Sequence, residues 1–132
     1  MKKTPLLNAA LSRLVATLGH GDMVLVADAG MPVPHGTAVE IIDLALTPGT
    51  PDIATTLRVL LGEMQVESHV VANETLARND AWLQGLSEDT IGPRETVSHE
   101  ALKQLAHRAR AVVRTGECTP YANLMLVAGV TF

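Results

Sequence analysis

Residues 23 to 27, Met-Val-Leu-Val-Ala, form an unbroken apolar run of five, preceded by Gly-His-Gly-Asp and followed by Asp-Ala-Gly. The run is too short for a stable helix and has no polar side to turn toward water. It therefore reads as a β-strand buried on both faces. A strand of that kind needs helices above and below it, and the rest of the chain supplies them. Residues 8–19 have Asn8 as N-cap, Leu11, Leu14, Val15 and Leu18 at helical spacing, and Gly19 as a stop. Residues 52–64, 74–86 and 99–110 are further helices, with Asp52 near the start of the first and Ser98 capping the last. Residues 38–46, 65–72, 111–116 and 123–132 read as strands, and the connection over 87–97 has room for a short one. Pro32 and Pro34 keep the segment after Asp28 out of a helix. Helices alternating with apolar strands predict an α/β fold: a single domain over 1–132 with a mainly parallel central sheet flanked by helices.

The composition sharpens this picture. Apolar residues make up 47% of the chain, yet its aromatics are only Trp82, Tyr121 and Phe132. The core must be built from Val, Leu, Ile, Ala and Met, which hints that some apolar surface is buried against other subunits. The net charge of −4 and the lack of a basic run leave nothing to draw nucleic acid. No apolar stretch is long enough to span a bilayer. The single Cys118 excludes an intrachain disulfide framework and suits a reducing compartment, so a cytoplasmic protein is expected, with Cys118 a small buried thiol.

Several chemistries are excluded by spacing. His99-Glu-Ala-Leu-Lys103 begins like a zinc-protease helix but has lysine where the second histidine is required. Gly19-His-Gly-Asp-Met-Val24 begins like a dinucleotide loop, but it lacks the third glycine and precedes its strand instead of following it. No nucleophile elbow is present. What remains is a set of polar residues at the ends of elements: His20, Asp28, His99, Lys103, Tyr121 and Asn123. His20 follows a helix C-terminus, where the macrodipole favours imidazolium, and a protonated histidine is a general acid near neutral pH. Taken singly, His20 also reads as a solvated loop histidine and Asp28 as a turn former.

The segments GHGDMVLVADAGMPVP, EMQVE, HEALK and RTGECTPYANLMLVAGVTF together resemble the D-ribose pyranase family, which is related to the L-fucose mutarotases. The resemblance implies an α/β fold and interconversion of the β-pyranose and β-furanose forms of D-ribose without metal or organic cofactor. It also implies a homodecamer of two pentameric rings, with sites between subunits. Carried over by motif, His20 is the proton donor, and Asp28, His99, Tyr121, Ala122 and Asn123 are the sugar-binding residues. Two features depart from the family pattern. Ile41 stands where arginine is usual before Ile-Asp-Leu-Ala, and the loop preceding it is longer. Two alternatives accompany this reading: a mutarotase for another sugar such as L-fucose, and a non-catalytic sugar-binding accessory of a transporter. Met31 and Gly-Glu-Cys-Thr-Pro-Tyr favour ribose over fucose. The other histidines have plainer expectations: His35 an exposed loop residue, His69 a satisfied structural one, His107 solvated. Lys103 either helps orient the sugar or pairs with an acid, and Trp82 packs.

Overall fold

In the computed structural model, residues 1–86 and 91–132 are described. Residues 87–90, the first part of the expected connection, lie outside them. The elements run α1 (Ala9–Thr17), β1 (Met23–Ala27), β2 (Glu40–Asp43), α2 (Ile53–Leu61), β3 (Val66–Ala72), α3 (Asn73–Gln84), β4 (Arg94–Val97), α4 (His99–Ala106), β5 (Ala111–Arg114) and β6 (Leu124–Ala128). Three of the helix starts follow directly from capping chemistry. The side chains of Asn8, Asp52 and Ser98 accept from the backbone N–H of Leu11, Thr55 and Ala101, at 3.0, 2.7 and 3.1 Å.

The strands form one sheet in the order β2-β5-β1-β6-β3-β4. β1, β2 and β5 run parallel, as do β3 and β4, while β6 is antiparallel to both β1 and β3. The expected mainly parallel sheet is present, and the exception has a simple cause. The link from β5 to β6 has no helix and is too short for the crossover a parallel neighbour requires. β6 therefore returns beside β1 in the opposite direction.

Alternation along the strands divides the core. Val24, Val26, Ala111, Val113, Leu124 and Leu126 face α1, α2 and α3. Leu25, Ala27, Val112, Met125, Val70 and Ala72 face the other way, where α4 covers them with Leu102 and Ala106. β1 is thus buried on both faces, as its apolar run predicts, and Trp82 packs at the core's margin. Two strands are shorter than their apolar patterns. β2 is an edge strand paired only with the four residues of β5. β6 ends at Ala128, which pairs with Val66, the first residue of β3; beyond it the Gly129 N–H donates to the Gln65 carbonyl at 3.0 Å. Cys118 corrects an expectation: it is exposed, with its Sγ 3.4 Å from the Gly116 carbonyl. No helix among the described residues is long and apolar enough to cross a membrane.

Candidate functional site

The topology sends the segment after β1, the segment before β6, and the N-termini of α3 and α4 to one edge of the sheet. In open α/β sheets, ligands bind outside the carboxyl ends of the strands. At this edge Asp28 and Asn123 are locked together. The Asn123 carboxamide oxygen accepts the Asp28 backbone N–H at 2.9 Å, and its nitrogen donates to the Asp28 carboxylate at 2.7 Å. Asn123 is completely buried, so its side chain is committed to holding Asp28. The other carboxylate oxygen of Asp28 accepts the Gly30 N–H at 2.9 Å, which closes the turn. Arg114 fastens the far side of that turn: its Nε donates to the Ala29 carbonyl at 3.1 Å while Nη1 holds both oxygens of Asp43.

Tyr121 stands beside this pair in the left-handed region, at φ 59°. A bulky residue is uncommon there and needs outside support. The Thr75 hydroxyl supplies it by donating to the Tyr121 carbonyl at 2.6 Å, and the Asn79 carboxamide bonds the Pro120 carbonyl. The Tyr121 ring meets the His99 ring edge-on with centroids 5.1 Å apart, and the Arg78 guanidinium lies 5.4 Å from the Tyr121 ring centre. Ala122 is fully buried behind them.

His99 opens α4, and its backbone N–H donates to the Glu74 carboxylate at 2.8 Å. The Glu74 carboxyl is held below the usual glutamate range, first by its own backbone N–H and then by that of His99. The Nδ1 of His99 is buried and, among the described residues, has no hydrogen-bond partner. An unpaired buried polar atom is costly, and one beside a sheet's ligand edge is suited to meeting a polar ligand atom.

His20 is elsewhere. It precedes β1, whereas Asp28 follows it, so the strand holds the two groups on the order of 15–20 Å apart. At that opposite edge the Nε2 of His20 is 2.7 Å from a carboxylate oxygen of Glu67, at the start of β3. The structure therefore brings five of the six expected site residues, Asp28, His99, Tyr121, Ala122 and Asn123, to one edge of the sheet and places the sixth, His20, at the opposite edge. The remaining polar residues follow their plain readings. Lys103 pairs with Glu100 at 2.6 Å, His69 is buried with Nδ1 3.0 Å from the Gly92 carbonyl, and His35 and His107 are exposed.

Glu67, Glu74, Thr75, Asn79 and Arg114 bond the candidate residues or the backbone next to them, and sequence reasoning did not single them out. They act on partners from 25 to 85 residues away. No local pattern links such pairs.

Residues 1–131 match the model of the RbsD / FucU transport protein family. The chain belongs to this family. It is 60% identical to the D-ribose pyranase of Pseudomonas fluorescens strain SBW25, with both chains covered in full. The solved structure of Bacillus subtilis RbsD complexed with D-ribose superposes with a TM-score of 0.91 at 47% identity, again over both whole chains. The fucose mutarotase of Streptococcus pneumoniae in complex with L-fucose shares the fold, with a TM-score of 0.75 at 23% identity and full coverage of both chains.

Proposed function

We propose that this chain interconverts the β-pyranose and β-furanose forms of D-ribose, as a cytoplasmic homodecamer of two pentameric rings. Each site takes Asp28, His99, Tyr121, Ala122 and Asn123 from one subunit and His20 from its neighbour. The observation that carries the reading is the pre-set edge where Asn123 fixes Asp28, and where Tyr121, two residues before Asn123, meets the ring of His99, whose buried Nδ1 has no partner among the described residues. The full-length similarity to D-ribose pyranases supplies the substrate. Oligomerisation is supported by the placement of His20 and by large apolar side chains left in solvent, among them Leu7 at 68% and Leu46 at 82% exposure.

Changing ring size requires opening the hemiacetal. The bond between the anomeric carbon and the ring oxygen breaks as that oxygen gains a proton, while the anomeric hydroxyl loses one and becomes the aldehyde oxygen. After rotation, a different hydroxyl attacks the aldehyde, losing its proton as the anomeric oxygen regains one. His20 protonates the ring oxygen. Asp28, held rigid by Asn123, binds a sugar hydroxyl, and His99 is placed to carry the second proton at Nδ1. Tyr121 offers a flat apolar face to the sugar ring, and the Ala122 backbone contacts it without a side chain. Positioned proton transfer of this kind contributes about 10²–10⁴-fold.

Magnetisation transfer between the anomeric proton signals of ribose tests the reading. Wild-type protein should accelerate pyranose–furanose exchange, and H20A and D28N should each abolish the gain. Unfolding and reassembling those two variants together should restore part of it, because mixed oligomers regain sites with one intact His20 and one intact Asp28. No acceleration by the wild type refutes the activity; no recovery on mixing refutes the shared site.

A further inference from the structure

Glu67 is built into its place more elaborately than an exposed acid needs to be. In the pairing of β3 with β6, Val66 faces Ala128 and Ser68 faces Val127, which leaves Glu67 as the extra residue of a β-bulge. Bulges re-aim a side chain, and they are over-represented next to active sites. Two glycines then close on Glu67. A Cβ at Gly92 would lie 2.2 Å from the Glu67 carbonyl oxygen, and one at Gly129 would lie 3.2 Å from the Glu67 Cβ. The bulge thus delivers the carboxylate to the Nε2 of His20 at 2.7 Å, across 47 residues of chain. An ordinary surface pair contributes little to stability, so such a device gains little by serving the fold alone.

We infer that Glu67 is a positioning residue for the proton donor, and that the two form a carboxylate–imidazole dyad in which Nδ1, not Nε2, exchanges the proton with the sugar. This rests on the reading of His20 given above. The carboxylate accepts the Nε2–H, which fixes the tautomer and ring orientation and leaves the Nδ1 lone pair open; among the described residues Nδ1 has no hydrogen-bond partner. When Nδ1 takes up a proton the ring becomes imidazolium, and Glu67 balances its charge. On ring opening the Nδ1 proton passes to the ring oxygen and the imidazole returns to its neutral Nε2–H form. On reclosure the attacking hydroxyl returns a proton to Nδ1, so no outside reactant is required.

Three measurements on the full-length protein test this. E67Q should slow catalysed exchange at saturating ribose by roughly 10- to 100-fold, with the half-saturating ribose concentration and the sedimentation coefficient unchanged. E67A should be slower still and regain rate on addition of formate, which can occupy the vacated carboxylate position; H20A should gain nothing from formate beyond its effect on free ribose. In [15N]histidine-labelled protein, the His20 resonances should report the Nε2–H tautomer and should shift in E67Q. Wild-type rates in E67Q, or an E67A defect that formate leaves untouched while the oligomer is intact, overturn the dyad without touching the proposed function. Failure of the wild type to catalyse exchange would instead remove the reading on which the dyad rests.

Discussion

Substituting Asn123 by aspartate tests whether the carboxamide is there to hold Asp28. The change keeps shape and volume but sets a second carboxyl 2.7 Å from the first, in a position with no solvent exposure. Two carboxylates about 3 Å apart repel by roughly 5–6 kcal/mol at an effective dielectric of 20. Protonating one carboxyl of ordinary value near 3.9 at pH 7 requires about 4 kcal/mol. Protonation is the cheaper route, so the N123D pair should share one proton at neutral pH, as closely spaced acids do. The introduced carboxyl, once protonated, donates to Asp28 and still accepts the Asp28 N–H, reproducing the wild-type bonds. The stability difference should therefore be about 4 kcal/mol at pH 7 and shrink by roughly 2.7 kcal/mol at pH 5, at about 1.4 kcal/mol per pH unit. N123A provides the contrast: it removes both bonds at every pH and should lose about 2–4 kcal/mol with little pH dependence. Urea unfolding of the three proteins at matched concentration, followed from pH 5 to pH 7, reads these differences directly. A gap between N123D and wild type that stays constant across that range would refute the reasoning.

Glu74 offers a second test by pH. Its folded-state value lies below the ordinary 4.5, so its contribution is fully present above 4.5 and is lost as pH falls through the lower folded value. E74Q should unfold earlier in urea than wild type at pH 7, and the two should converge as the pH is taken well below 4.5. Gly116 tests packing beside the same edge. A Cβ there would lie 2.5 Å from the Thr50 carbonyl oxygen and 2.6 Å from that of Thr47, both backbone atoms that cannot swing aside. G116A should cost about 1–3 kcal/mol in urea unfolding.

Particular residues show how far the sequence could be read. The apolar run 23–27 implied a strand buried on both faces because no polar residue interrupts it, and Asn8, Asp52 and Ser98 marked helix starts because capping is chemistry between residues three apart. Cys118 was misjudged because exposure depends on what packs over the 115–123 segment, about which the cysteine itself carries no information. The boundaries of β2 and β6 were overestimated for a related reason: a strand ends where its partner ends, and pairing is non-local.

The same division holds for the site. Sequence alone determined which residue types were available at element ends, since His20, Asp28, His99, Tyr121 and Asn123 stand where apolar periodicity stops. Tertiary structure alone decided who meets whom. The antiparallel return of β6 joined Asn123 to Asp28, the docking of α3 tied Glu74 to His99, and a bulge in β3 gave His20 its carboxylate. It also held His20 a full strand's length from Asp28, because residues at the two ends of one extended strand cannot meet within a single chain.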